Sequence, residues 1–152
     1  MRFTWLFATA ALVAFSRPAS AQITVTAVRN LAFGPVIVGV PLSIPPSHPT
    51  RSGQFRLVAA LGTDVRFRFT LPTRLNGPSG ATMPISFSTT DAIAFGQGPT
   101  SVPVTFNPNQ QQTFQIVSST TIFVFIGGRV TPAANQRQGN YTNTITFTVT
   151  VL

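Results

Sequence analysis

Between Tyr141 and Val151 the chain alternates between two kinds of side chain. Tyr141, Ile145, Phe147, Val149 and Val151 fall on one side, and Thr142, Thr144, Thr146, Thr148 and Thr150 on the other. A period of two belongs to an extended strand, whose successive side chains point to opposite faces. Threonine is β-branched and polar, so it suits the wet face of a sheet. Slipping this strand by one residue would bury five threonines and expose its apolar face, so the register is firm and a second layer must cover that face.

The same period recurs upstream. Val65, Phe67, Phe69 and Leu71 alternate with Arg66, Arg68 and Thr70, and Phe55, Leu57, Ala59 and Leu61 form another apolar face, separated from the first by a turn at Gly62-Thr63-Asp64. Met83, Ile85 and Phe87 make a further short strand, as do Val102, Val104 and Phe106, with Phe114 and Ile116 continuing the series. Pro103 cannot donate to a ladder, so its strand belongs at an edge or a bulge. Thr121 to Ile126 is apolar on both faces, as a central strand would be. Turn formers punctuate the series at Asn76-Gly77-Pro78, Gly96-Gln97-Gly98-Pro99, Asn107-Pro108-Asn109 and Gln138-Gly139-Asn140. Gly127-Gly128, inside a strand pattern, reads as a bulge. The proline-rich stretch from Gly39 to Gly53 reads as a crossover between sheets. No capped helical period follows the N-terminal region. Short strands at this spacing predict an all-β, two-sheet antiparallel sandwich in one domain, residues 22–152.

Residues 1–21 have a different character. Met1-Arg2 is a short basic head, Phe3 to Phe15 an apolar run, and Ala19-Ser20-Ala21 a small-residue site: the order of a signal peptide cut before Gln22. Thirteen apolar residues fall short of the roughly 20 that span a bilayer, so no transmembrane segment is expected once the signal is removed. The chain is therefore expected in the periplasm, at the cell surface or outside the cell. The absence of cysteine excludes disulfides and thiolate metal sites, and suits a Gram-negative envelope better than a small disulfide-framed secreted domain.

Chemistry is scarce. General acid–base and glycosidase reactions need paired carboxylates, and the only acidic residues are Asp64 and Asp91. Turns commonly use aspartate to bond their own backbone, and Asp64 sits in one. With His48 these two make up the whole set of zinc-ligand types, and nothing resembling G-x-S-x-G positions a nucleophile. No catalytic residue, metal or cofactor is expected. Every basic residue is arginine; eight follow Ala21, against two aspartates, a balance of +6. These arginines are scattered and no nucleic-acid-binding motif accompanies them, so an anionic glycan fits an exported chain better than nucleic acid.

Three segments carry a family resemblance. LAFGPVIVG, Leu31 to Gly39, resembles the L-x-F-G-x-V-x-x-G opening of a bacterial exported family known as domain of unknown function 4402. FRFTLPTRL, from Phe67, with the later MPISF, is similar to its second block. PAANQRQGNYTNTITFTVTV resembles its closing block, a proline-led loop, a Gly-x-Tyr and a threonine-rich strand. The resemblance covers most of the chain after the signal peptide and extends to spore-coat-U-like and fimbrial, pilin-like subunits. It implies an immunoglobulin-like sandwich and a surface or fibre role, with a periplasmic chaperone and an usher as partners. The chain departs from pilins in lacking a cysteine pair and in its short extension before Leu31.

The function expected is a non-enzymatic structural protein of the envelope or surface, a homo-oligomer or fibre assembled by strand addition. The segment expected to add is Gln22 to Val28, with Ile23, Val25 and Ala27 on one side. The alternatives are a monomeric binding module for anionic glycans and a small outer-membrane barrel.

Overall fold

The computed structural model describes residues 23–97, 101–117 and 119–152; the expected signal peptide lies outside these. Among the described residues the strands, numbered along the chain, form three antiparallel sheets. The largest has the order β1 (Thr24–Arg29), β3 (Gly53–Val58), β10 (Thr121–Ile126), β7 (Ala92–Gly96), β8 (Val104–Phe106). A three-stranded sheet of β12 (Thr146–Val151), β4 (Asp64–Thr70) and β9 (Gln112–Gln115) faces it. A four-stranded sheet runs β2 (Leu42–Ile44), β11 (Gly128–Val130), β6 (Thr82–Ser86), β5 (Arg74–Asn76). The fold is an all-β sandwich.

Phenylalanine holds the two facing layers together. Phe147 of β12 lies 5.1 Å from Phe55 of β3 and 4.7 Å from Phe69 of β4, ring centre to ring centre. Phe67 of β4 meets Phe106 of β8 at 6.2 Å. Leu57, Val65, Val124 and Ile126 complete this main core, all essentially without exposure. A second core, of Phe33, Ile44, Met83, Ile85 and Val130, lies against the four-stranded sheet, and Phe87 packs on both.

The sheets number three rather than two because central strands change partners along their length. β10 and β11 are separated only by Gly127, whose backbone nestles against Ile44, Pro45 and Pro46, where a Cβ would stand 2.3 Å from a carbonyl oxygen. A side chain cannot be accommodated there, so the glycine pair is a sheet switch rather than a bulge within one strand. The proline-rich crossover likewise contains β2 and then delivers the chain from the four-stranded sheet to β3.

The final strand is shorter than its alternation suggests. β12 begins at Thr146; Tyr141 packs instead on the second core, and Thr142 makes an isolated bridge to Asn76. Ile145 and Val149 are half-buried against the main core and Phe147 is buried. Val151 is 47 % exposed, because β12 is an outer strand; its partner Val65, one strand further in, is fully buried. Leu61, Val102 and Val104 are also exposed, the first beyond the end of β3 and the others at the outer strand β8 that Pro103 borders. Asp64 opens β4 rather than sitting in the turn. The longest strand among the described residues has seven residues, short of the roughly nine to eleven of a membrane strand. No helix of the described residues is long and apolar enough to cross a membrane.

Candidate functional site

A cleft of about 1030 Å³ opens beside both cores. One wall is the end of β1 and the segment from Asn30 to Val38, and the other is the loop from Gln136 to Ile145. Its floor includes Phe55, Leu75, Met83, Ile126 and Val130. Met83, Ile126 and Val130 are buried beneath it and Phe55 and Leu75 are half-buried, between two segments that are not paired with each other.

Local chemistry fixes each wall. Arg29 donates from Nε to the Ser52 carbonyl at 2.8 Å and from its terminal nitrogens to Ser52 Oγ and the Pro49 carbonyl. Ser52 is itself fully buried and donates to the His48 carbonyl. His48 Nδ1 accepts from the backbone N–H of Thr50 and of Arg51, so this histidine holds a turn. The opposite wall hangs on Tyr141. Its hydroxyl donates to the Arg137 carbonyl at 2.7 Å and accepts from Gln136 Nε2, which also reaches the Thr82 carbonyl. The Tyr141 ring occupies the space a side chain at Gly77 would need. Asn76 and Thr142 exchange backbone hydrogen bonds at 2.8 and 2.9 Å. Both walls are therefore anchored to the sheets behind them, and the gap between them is preformed.

Val38 lines the cleft, and it and its chain neighbours include exposed apolar side chains. Ile37 is 71 % exposed and Val38 49 %, and Val25, Val28 and Val40 are exposed as well. On a monomeric soluble surface, neighbouring exposed aliphatics mark a contact surface. The LAFGPVIVG segment thus divides: Phe33 anchors it in the second core while Ile37 and Val38 face outward.

Ile23, Val25 and Ala27 lie together at the start of β1 and its approach, but they are not free. β1 pairs antiparallel with β3 in its own chain, Val25 opposite Leu57 and Ala27 opposite Phe55, with an irregularity between Ala27 and Arg29. Ile23 packs on the main core; from Thr24 to Val28 the side chains are exposed, so β1 is held mainly through its backbone. Among the described residues its other edge carries no strand, and neither does the outer edge of β12.

Asp91 accepts from the Ser88 N–H at 2.7 Å within a turn, and Asp64 and His48 lie on other elements. Among the described residues no group of three or more His, Cys, Asp or Glu comes together. One cluster was not anticipated. On the outer face of the five-stranded sheet, Phe95, Phe123 and Phe125 pack together, Phe95 and Phe125 parallel within 10° at 5.3 Å. Its signal in the sequence is the two-faced apolarity of Thr121 to Ile126. Comparison of the chain with family models, curated proteins and solved structures finds no match.

Proposed function

We propose that the chain is an exported, non-enzymatic structural protein of the bacterial envelope or surface, whose copies join by strand addition at the cleft. The observation that carries this is the cleft itself: an apolar floor, two anchored walls and, on the β1 side, a strand edge that is unpaired among the described residues. An extended segment entering it would pair its backbone with an open edge and place alternate side chains on the floor. Such a surface is a hazard while unoccupied, which gives a periplasmic chaperone and an usher a physical task.

The donor in this proposal is the Ile23–Val28 segment of a neighbouring copy. Leaving β3 costs backbone pairing and the packing of Ile23 on the main core, but little other buried side-chain area, since Thr24 to Val28 are exposed. Insertion restores the pairing and buries Val25 and Ala27 as well. Head-to-tail repetition of such a contact produces an open fibre rather than a closed ring when the rotation does not close. The pairing of β1 with its own β3 favours a second reading, the monomeric binding module.

Val25→Lys and Ala27→Lys separate the two. Both positions are exposed in the single chain, so each variant keeps its unfolding free energy within about 0.5 kcal/mol. On size-exclusion chromatography and negative-stain microscopy the parent chain from Gln22 is expected to show oligomers or fibres that the lysine variants lack. A parent that stays monomeric at high concentration overturns strand addition and leaves the binding module.

A further inference from the structure

We infer that the outer face of the three-stranded sheet, centred on Arg66 and Arg68, binds a carboxylate-bearing polysaccharide. Val65, Phe67 and Phe69 turn inward and are buried, so the alternation of β4 sends Asp64, Arg66, Arg68 and Thr70 outward. The two guanidinium groups are carried one pleat repeat apart, about 6.8 Å along the strand. The flanking strands surround them with hydroxyls. Thr148 stands opposite Arg68, and Arg66 lies between Thr150 on β12 and Thr113 on β9.

The chemistry of this face is unbalanced. The chain has two acidic side chains; Asp91 is engaged in its own turn, and Asp64 lies at one end of the face. Arg66 is half-buried, and its Nε is shielded from water with no hydrogen-bond partner, the flanking threonines included. A buried donor left unpaired opposes stability, and in a folded protein it calls for a function or a missing partner. Guanidinium groups take carboxylates through paired N–H donors, more strongly than a neutral pair would. The threonine hydroxyls both donate and accept, which suits the hydroxyls of a sugar ring.

The same face argues against other polyanions. Its outward residues are Asp, Arg, Thr and Gln, with no aromatic ring on which an unpaired base could stack. They include no apolar anchor for a lipid surface either. Strand addition engages edges and the cleft and leaves this face uncovered, so an assembled fibre would repeat it once per copy and gain avidity. The inference does not depend on that assembly, because a single copy carries the whole face.

The test is calorimetric titration of the chain from Gln22 with an oligogalacturonate, using neutral dextran and a single-stranded DNA oligomer as comparators. R66Q/R68Q is expected to weaken uronate binding by roughly tenfold or more, the loss of at least one charged hydrogen-bonded contact, and to flatten its salt dependence. R74Q/R129Q removes equal charge from exposed positions on the four-stranded sheet and is expected to bind nearly as the parent does. R68Q alone changes only an exposed side chain and keeps the test valid if the double variant does not fold. Equal losses from the two double variants, DNA bound as tightly as uronate, or no uronate binding by the parent would each overturn the inference.

Discussion

Phe147 ties the two facing layers together through one side chain. Its ring lies within 5.1 Å of Phe55 and Phe67 and 4.7 Å of Phe69, so it joins β12 to its own sheet and to the opposite one. Aromatic pairs of this kind add about 0.5–1.5 kcal/mol beyond the area they bury. Phe147→Ala is expected to cost about 3–5 kcal/mol in a urea melt, a large share of a marginal domain's stability. Thr146→Ala, one residue earlier on the wet face, should stay within about 0.5 kcal/mol. Equal losses would mean that the strand faces the other way. The burial of Phe147 and the exposure of its threonine neighbours were legible because a period of two assigns each residue to a face. Tyr141 was not legible in this way. Its hydroxyl is held by Gln136 and Arg137 and its ring by Gly77, contacts that draw it out of the strand and that no period encodes.

At the scale of elements, the strands and most turns follow from alternation and turn chemistry. Asn107-Pro108-Asn109 closes through the Asn107 side chain, whose Oδ1 accepts from the Asn109 N–H at 2.9 Å, as the residue types suggested. What alternation cannot supply is which strand adjoins which, or where a strand changes sheet. Gly127 decides the latter. A Cβ there would meet backbone atoms of Ile44, Pro46 and Pro45 at 2.3, 2.7 and 2.8 Å, and backbone cannot swing aside as a side-chain tip can. Gly127→Ala is therefore expected to destabilise by about 2–3 kcal/mol or more. Gly80→Ala serves as comparison: nothing lies within 4 Å of its Cβ, but φ is +77°, so only the left-handed backbone penalty of about 1–2 kcal/mol applies. Urea midpoints of the two variants measure the difference. If Gly127→Ala is the milder, the close approach of β10–β11 to the crossover is not what joins the sheets. The cleft was equally hidden from sequence, since its walls are some hundred residues apart and meet only through the sheet order.

At the scale of the whole molecule, the decisive properties are the absence of cysteine and the position of the first strand. Without disulfides, this domain depends on its two apolar cores, and a melt with or without reductant should give one and the same midpoint. The expected signal-peptide cut then has a structural consequence. Cleavage after Ala21 leaves Gln22 immediately before Ile23, which packs on the main core, and β1 follows at Thr24. A cut even two residues later would remove Ile23 and part of the packing that seats β1 on β3. The small residues Ala19 and Ala21 fit the two positions a signal protease reads, so the expected site is also one that would spare the sheet. Mass spectrometry and N-terminal sequencing of the exported protein are expected to find a chain beginning at Gln22 or at its cyclised form. That chain should unfold in a single cooperative transition. A start at Thr24 or beyond, or an intact Met1 in the exported fraction, would refute both the processing site and the role given to Ile23.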